Sequence, residues 1–274
     1  MSDRITVTMD GGVADVRLNR ADKMNALDPA MFRALVDVSD QLAADPAVRC
    51  VVLSGEGKAF CAGLDFGSFQ GMASDDAEDE RAPRDITAAE EGRITHLGQQ
   101  AVYGWSSLPV PVIAAVHGHA LGGGIQLALG ADIRFVAPDA KMSVLEIRWG
   151  LIPDMTGTQT LIDLVGLDVA KELTFTGRMV SGTEAVELGL AGHLADDPRA
   201  GALELAQEIA QKSPHAIRAG KRLLNAAAKV SRADGFLAER TEIARLIGSP
   251  NQVEQVKAFF EKRTPQFADP ELGD

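Results

Sequence analysis

The sequence predicts an α/β fold in which two strands and a helix recur along the chain, followed by a purely helical region. Short apolar runs rich in β-branched residues indicate strands, and apolar positions at a 3.6-residue period between them indicate helices. Beyond Asp196 the strand pattern stops, and residues 199–262 keep a helical pattern with short interruptions. We therefore expect a core domain at residues 1–197 and a helical C-terminal subdomain at residues 198–274.

The first elements are a hairpin, a helix and a third strand. Strands are predicted in "ITVTMD" (5–10), "GGVADVRLN" (11–19) and "AVRCVVLSG" (47–55). Gly11 and Gly12 form the turn between the first two, because glycine accepts the left-handed backbone that tight turns need. "DPAMFRALVDVSDQLAAD" (28–45) is amphipathic, with Asp28 as the expected N-cap and Pro29 as the first helical residue.

The middle of the chain repeats this alternation. "VPVIAAVHG" (110–118) is almost wholly apolar, which is typical of a strand buried on both faces. "GGIQLALG" (123–130) has helical periodicity, and "ADIRFVA" (131–137) returns to a strand pattern. "SGTE" (181–184) fits a capping box that opens another helix. In the C-terminal region, "SPH", "SRADG" and "GSP" separate the predicted helices.

Composition excludes several classes of function. A net charge of −12 argues against a nucleic-acid partner, which needs a basic face. The N-terminus has no apolar signal core and no run approaches membrane-spanning length, so we expect a cytoplasmic protein without a membrane partner. Cys50 and Cys61 form no CxxC pair, and the five histidines have no metal spacing. We therefore expect neither a disulfide framework nor a metal site.

Two glycine-rich turns are candidates for ligand binding. "KAFCAGLDF" (58–66) and "HGHALGGGIQLALG" (117–130) each follow a predicted strand, and the second opens a helix. Glycines let backbone N–H groups approach a ligand closely, and two such turns facing each other could form an oxyanion hole. Tight packing alone is the alternative for each turn. No P-loop ending and no G-x-S-x-G elbow is present.

The stretch "EIRWGLIPD" places a carboxylate at each end of an apolar segment. Glu146 and Asp154 are either ordinary loop acids or two acids that face one low-dielectric site and transfer protons there. An apolar wall raises the pKa of a carboxyl group, and two nearby acids separate each other's titrations. For Asp154 the alternative is an N-cap of the helix beginning near Thr156.

Three motifs in this order resemble the crotonase family, the enoyl-CoA hydratases and isomerases. They are "AFCAGLD", "HGHALGGGIQLALGADIRF" and "LEIRWGLIPDMTGTQTL", and the resemblance runs from about residue 5 to 265. It implies a crotonase-like spiral of ββα units, a catalytic core ahead of the helical region, and an acyl-CoA thioester as substrate. Coenzyme A is then part of the substrate, and no separate cofactor is expected.

The resemblance also assigns residues. The oxyanion hole would come from the backbone N–H groups of Leu64 and Gly123, and the loop at residues 71–95 would line the acyl pocket. The acidic part of that loop, residues 71–85, has the composition of a mobile surface segment. The expected substrate-binding residues are Lys23, Ala26, Ala62, Leu64, Asp65, Phe66, Gly67 and Gly122.

The expected catalytic residues are Glu146, Asp154 and Gln126. Family hydratases resemble one another in holding water with two glutamates, and Gln126 occupies the place of the first. An amide does not exchange a proton near neutral pH, so Gln126 is a poor acid or base. Asp154 resembles the second acid of dienoyl-CoA isomerases. We therefore interpret the chain first as an enzyme that shifts double bonds of enoyl- or dienoyl-CoA.

Other functions stay open alongside this one. The chain could be an enoyl-CoA hydratase that adds water to trans-2-enoyl-CoA, or a non-catalytic acyl-CoA-binding protein. A hydrolase or dehalogenase is a third alternative, since one fold hosts many functions. The resemblance also implies a homotrimer or a dimer of trimers. The tail "VEQVKAFFEKR" presents Val253, Val256, Phe259 and Phe260 at helical spacing, for which packing on the chain's own core is the alternative.

Overall fold

The α/β class predicted from the sequence is confirmed by a computed structural model, which describes residues 3–65, Gly67 and 88–271. The larger sheet has six strands in the order β1-β2-β3-β4-β6-β9. These strands are β1 (Ile5–Asp10), β2 (Val13–Leu18), β3 (Cys50–Gly55), β4 (Val112–Val116), β6 (Ile133–Val136) and β9 (His193–Leu194). A smaller sheet has the order β5-β7-β8. Its strands are β5 (His119–Leu121), β7 (Lys141–Ser143) and β8 (Val180–Ser181).

Helices connect the strands and fill the C-terminal region. They are α1 (Pro29–Ala43), α2 (Leu97–Ser106), α3 (Gly123–Leu129), α4 (Gly157–Thr176), α5 (Gly182–Leu188), α6 (Pro198–Ala210), α7 (Pro214–Ala227), α8 (Arg232–Leu246) and α9 (Pro250–Glu261). Among the described residues, short 3-10 turns occur at Ala21–Lys23 and Glu146–Trp149. The predicted interruptions between C-terminal helices agree with these bounds.

Local sequence signals explain how several elements begin. Asp28 accepts a hydrogen bond from the N–H of Met31 and Pro29 opens α1, as predicted. Ser181 likewise caps α5 by accepting from the N–H of Glu184. The carboxylate of Glu184, which would complete a capping box, instead pairs with Arg178 at 2.7 Å. Of the predicted capping box, only the hydrogen bond to the Ser181 side chain is therefore present.

The larger sheet is parallel except at one edge. β1 and β2 pair in antiparallel fashion through a turn at Gly11 and Gly12, whose φ angles are +55° and +85°. From β2 through β3, β4, β6 and β9 all pairs are parallel. A sheet of this kind is covered on both faces, which is why β4 is buried along its whole length.

Helices cover the two faces of the larger sheet. One face packs with α1, α2 and α3 into the main core, which contains Phe60 and Trp105. The other face packs against α6 through Ala202 and Ala206. The first helix after residue 197 thus covers the sheet of the preceding core, and the domain boundary placed there stays a prediction.

Both cysteines lie inside the fold as free thiols. Burial raises the pKa of Cys50 and the pKa of Cys61 to about 12. The Cys61 thiol donates to the carbonyl oxygen of Asn25 at 3.2 Å. Over the described part of the chain, no helix combines the length and apolar character needed to cross a membrane.

Candidate active site

The two glycine-rich turns lie directly against each other. The N–H of Cys61 donates to the carbonyl of His119 at 2.9 Å, and the N–H of Leu121 donates back to Cys61 at 3.0 Å. A side chain on Gly124 would overlap the carbonyl of Cys61, and one on Gly63 would overlap that of Leu121. These glycines therefore permit tight packing of one turn on the other, the alternative considered for each turn, and a ligand-binding role for the turns stays a prediction.

Two backbone donors remain unused where the turns meet. Leu64 lies opposite Leu27 in an isolated parallel β-bridge. The N–H of Leu27 donates to the carbonyl of Gly63 and the N–H of Asp65 donates to the carbonyl of Leu27, so this bridge does not use the N–H of Leu64. Gly123 is the first residue of α3. Across the described residues, no group accepts a hydrogen bond from the N–H of Leu64 or of Gly123. Two free N–H groups on adjoining turns suit a developing oxyanion.

A buried asparagine that sequence reasoning missed fixes the first turn. The amide nitrogen of Asn25 donates to the carbonyls of Glu56 (3.0 Å), Ala59 (2.8 Å) and Phe60 (3.2 Å), and its oxygen accepts from the N–H of Arg20 (2.8 Å). Its φ of 56° is left-handed, a conformation that asparagine tolerates better than most residues. This tolerance of asparagine for a left-handed backbone is the sequence feature that could have indicated a turn at this position.

The expected substrate-binding residues come from the segment around Lys23 and from the two glycine turns, which the structure brings together. Lys23 is exposed and Ala26 is buried in the segment that Asn25 holds. The N–H of Ala62 donates to the carbonyl of Met24 at 2.9 Å, which joins that segment to the first glycine turn. The second turn contributes Gly122, whose φ of 53° favours glycine.

Asp65 at the end of the first turn is held by an ion pair. Its carboxylate accepts from Arg20 at 2.7 Å and from the N–H of Gly67 at 2.8 Å. The hydrogen bond from Arg20 is the main cause that lowers the pKa of Asp65. Phe66 and the predicted mobile segment at residues 71–85 lie outside the described residues.

Glu146 and Gln126 are joined by a direct hydrogen bond. The amide nitrogen of Gln126 donates to Oε1 of Glu146 at 2.5 Å. The amide oxygen of Gln126 accepts from the N–H groups of Met155 (2.9 Å) and Gly157 (3.0 Å). Gln126 is 1% exposed, so all these bonds are shielded from water. Gln126 is thus packed within the fold and hydrogen-bonded to Glu146, and a catalytic role for it stays a prediction.

Glu146 carries a buried carboxyl group with one unpartnered oxygen. The residue is 9% exposed, and its Oε2 has no hydrogen-bond partner within the described structure. Burial is the main cause that raises the pKa of Glu146 above its ordinary value. The charge of Asp154 raises it further, whereas the bond from Gln126 and a backbone hydrogen bond oppose the shift. A carboxyl with a raised pKa is suited to general acid–base chemistry.

Asp154 fits neither of the two expectations for it, a low-dielectric environment and an N-cap position. The residue is exposed, so the predicted low-dielectric environment applies to Glu146 alone. Its N-cap alternative is wrong, because Thr156 and not Asp154 holds the N-cap position of α4. A catalytic role for Asp154 stays a prediction.

The apolar residues between the two acids do not form a buried wall. Ile147, Trp149, Leu151 and Ile152 are 44%, 46%, 45% and 68% exposed. Glu146 lies close to the second glycine turn, where a Cβ on Gly122 would lie 3.4 Å from its Oε1. Glu146 is buried as expected, but the apolar residues that follow it in the sequence do not form the wall that the sequence predicted.

This fold, with its three motifs in order, defines an enzyme of the crotonase class. A sequence profile described as enoyl-CoA hydratase/isomerase matches residues 8–270. Human enoyl-CoA hydratase domain-containing protein 2, mitochondrial, is 36% identical over 94% of this chain and 86% of its own length. Mouse methylglutaconyl-CoA hydratase, mitochondrial, is 34% identical over 93% of this chain and 79% of its own length. The crystal structure of an enoyl-CoA hydratase from Bacillus anthracis superimposes with a TM-score of 0.85 at 32% identity, covering 96% of this chain and 98% of that one.

The chain therefore belongs to the enoyl-CoA hydratase/isomerase family. An acyl-CoA substrate is consistent with this membership.

Proposed function

We propose that this protein shifts a carbon–carbon double bond in an enoyl-CoA thioester, with Glu146 as the single proton carrier. The observation that carries the proposal is the hydrogen bonding of Gln126. Its amide oxygen is occupied by two backbone N–H groups and its nitrogen faces Glu146, so it moves no proton. Of the three expected catalytic groups, only Glu146 is both ionisable and buried.

The reaction follows from the two free N–H groups and the carboxylate. The thioester oxygen would accept hydrogen bonds from Leu64 and Gly123, each contributing about 3 kcal/mol to stabilising the enolate. Glu146 removes the proton from C2, and the C–H electron pair enters the conjugated enolate. The same carboxyl then returns that proton to C4, and the double bond moves from C3–C4 to C2–C3.

A dienoyl-CoA would need a proton returned to a more distant carbon. We propose Asp154 for that step, since it lies eight residues beyond Glu146 at the other end of the same loop. Asp154→Asn should then damage dienoyl isomerisation most and spare the single double-bond shift. An unchanged rate with every acyl-CoA would exclude Asp154 from the chemistry.

Hydration of trans-2-enoyl-CoA is the second candidate. The two relatives named above are a methylglutaconyl-CoA hydratase and a hydratase domain-containing protein, and the matched solved structure is an enoyl-CoA hydratase. In addition, Oε2 of Glu146 is free to accept a hydrogen bond from water. In this reaction Glu146 takes a proton from water, the hydroxide adds to C3, and the proton goes to C2.

One experiment separates the two reactions. The purified protein is given 3-enoyl-CoA and crotonyl-CoA in separate assays, and the conjugated enoyl absorbance is followed. A rise with 3-enoyl-CoA without loss of the crotonyl signal supports the double-bond shift. Rapid loss of the crotonyl signal favours hydration. Absence of both, with acyl-CoA binding intact, would favour the non-catalytic alternative.

The same assay in D₂O tests the single proton carrier. A carboxyl that returns the proton it removed leaves the new C4 position largely undeuterated. Complete deuteration of that position at early times would contradict Glu146 as the only carrier.

We propose that the phosphorylated end of coenzyme A binds near Lys23 and the Ala62–Asp65 turn. Lys23 is exposed there, and a lysine binds phosphate oxygens by charge. Expected contacts also include Ala26, Gly67 and Gly122. A structure with CoA bound elsewhere on the protein would contradict this. No separate cofactor is required by the chemistry described. We also expect a cytoplasmic location, which cell fractionation tests.

We propose that the C-terminal helices form an interface between copies, giving a trimer or a dimer of trimers. Val253, Val256, Phe259 and Phe260 are 37%, 43%, 74% and 78% exposed, so the chain's own core leaves much of their apolar surface uncovered, most of all at the two phenylalanines. Exposed apolar surface of this kind marks an interaction site. Light scattering at micromolar concentration tests the assembly, and a monomer would refute it.

A further inference from the structure

Leu64, the proposed oxyanion donor of the first glycine turn, is bracketed by backbone hydrogen bonds to one residue. The N–H of Leu27 donates to the carbonyl of Gly63 at 2.8 Å, and the N–H of Asp65 donates to the carbonyl of Leu27 at 3.1 Å. The side chain of Leu27 also reaches the second glycine turn, where a Cβ on Gly123 would lie 2.8 Å from its Cδ1. Leu27 therefore lies between the two proposed donors, and a shift of Leu27 changes their spacing.

Arg20 ties the two sides of this β-bridge together. Its Nη1 donates to the carbonyl of Ala26 at 3.0 Å and to the carboxylate of Asp65 at 2.7 Å. One guanidinium nitrogen thus joins the residue before the bridge on one side to the residue after it on the other. The backbone N–H of Arg20 donates to Oδ1 of Asn25 at 2.8 Å, so Arg20 also holds the amide that fixes the start of the first glycine turn.

The guanidinium of Arg20 is partly shielded and lies between two carboxylates. Its side chain is 14% exposed, its Nε lies 3.6 Å from Asp28, and its Nη1 pairs with Asp65. Both carboxylates balance its charge, which disfavours a role in binding the phosphates of coenzyme A. The planar guanidinium instead fixes its partners by several directed hydrogen bonds, which a lysine ammonium does with less geometric control.

We propose that Arg20 is a positioning residue, which fixes the direction of the Leu64 N–H relative to the Gly123 N–H. It acts through its ion pair with Asp65, because the turn itself contains Gly63 at a φ of 86° and has little rigidity of its own. An oxyanion donor acts fully only at hydrogen-bond distance from the developing charge, and a misplacement of about 1 Å can cost about 10²-fold in rate. The inference rests on the oxyanion hole of the proposed function and not on which reaction occurs there.

The test uses two unreactive ligands, butyryl-CoA and S-butyl-CoA. Butyryl-CoA has the thioester carbonyl but no double bond, so neither the double-bond shift nor hydration can occur. S-Butyl-CoA lacks the carbonyl and measures binding of the rest of the molecule. The ratio of the two dissociation constants therefore isolates hydrogen bonding to the thioester oxygen. A ¹³C label at the carbonyl of butyryl-CoA reports the same hydrogen bonds by NMR, because donors polarise the carbonyl and move its resonance downfield.

Four variants are compared with the wild type. Arg20→Met keeps an apolar stem and removes the side-chain hydrogen bonds, whereas Arg20→Lys keeps the charge. Asp65→Asn weakens the same pair from the other side, since an amide keeps one of the two acceptors, and it serves if Arg20→Met does not fold. Arg199→Met is the matched control, because it breaks another part-buried pair, with Asp15, on the sheet face that α6 covers.

The wild type should bind butyryl-CoA about three- to tenfold more tightly than S-butyl-CoA, the value of one or two net hydrogen bonds, and should move the carbonyl resonance downfield. Arg20→Met and Asp65→Asn should lose most of both effects, Arg20→Lys should recover part, and Arg199→Met should keep both. With a reacting enoyl-CoA, Arg20→Met should lower kcat about ten- to hundredfold. Its dissociation constant for S-butyl-CoA should stay unchanged.

The contrary outcomes are distinguishable. A wild-type carbonyl shift that Arg20→Met retains would overturn the role of Arg20 and leave the oxyanion hole intact, even if the melting temperature falls as it does in Arg199→Met. Equal weakening of both ligands with the carbonyl shift retained would show that Arg20 binds the nucleotide, which also overturns the proposal. Absence of the shift and of the ligand preference in the wild type would instead overturn the oxyanion hole of the proposed function, and this role with it.

Discussion

Replacing Glu146 with glutamine tests the assignment of the proton carrier. Glutamine keeps the volume and can still accept the hydrogen bond from Gln126, which now reaches Oε1 at 2.5 Å. It removes the ionisable group and leaves the neighbouring backbone unchanged. The loss in turnover therefore measures proton transfer rather than packing.

The expected loss of kcat is about 10²–10⁴-fold, the usual contribution of a positioned acid or base, equal to about 3–5 kcal/mol in the barrier. The assay is the absorbance change with 3-enoyl-CoA or crotonyl-CoA, whichever the wild type converts faster. Glu187→Gln, an exposed glutamate on α5, is the matched control and should retain full activity.

The same variant has a predictable stability profile. Burial raises the pKa of Glu146 above its ordinary 4.5, so the folded protein holds this proton more tightly than the unfolded chain. The wild type therefore loses stability as pH rises from 4.5 through the raised pKa, and Glu146→Gln should not. At neutral pH the variant should be more stable than the wild type by urea denaturation. A variant that keeps full turnover, or that is destabilised equally at all pH values, would refute this reasoning.

Three further predictions concern the surrounding contacts. Turnover should fall as pH decreases through the raised pKa of Glu146, because the base must be ionised. Gln126→Leu removes a hydrogen bond to the carboxylate that lowers this pKa, so it should move the acidic limb of the kcat profile to higher pH. Asn25→Asp should destabilise the fold by about 3 kcal/mol or more in urea titrations, since it places an oxygen opposite three backbone carbonyls. Lys221→Met should cost about 3 kcal/mol by breaking a 2.7 Å ion pair with Asp132, and adding Asp132→Asn should recover part of that loss.

Much of the fold could be predicted because its signals are local. The turn at Gly11 and Gly12, the cap at Asp28 and the helix breaks of the C-terminal region depend on neighbouring residues alone. The family membership could also be predicted, through three motifs in a fixed order, whereas the roles of the site residues stay predictions. The glycines of the two turns indicated a close backbone approach, but the sequence left open whether a ligand or tight packing requires it.

What could not be predicted depends on contacts between distant segments. Asn25 binds carbonyls more than thirty residues away, and no local pattern reveals them. The sequence predicts burial of Glu146 by its apolar neighbours, yet those side chains are partly exposed, and Gly122 of the second glycine turn is one of the groups that lie close to its carboxylate. The left-handed backbone of Thr156 is likewise invisible in sequence, because threonine normally avoids it.

A crystal structure of Glu146→Gln with the substrate enoyl-CoA bound tests the proposed oxyanion hole and proton carrier together. The thioester oxygen should lie within about 3 Å of the backbone nitrogens of both Leu64 and Gly123, the hydrogen-bond distance of an oxyanion hole. The side chain of residue 146 should lie against C2 of the acyl chain. A thioester oxygen bound elsewhere, or residue 146 turned away from the acyl chain, would contradict the central claim.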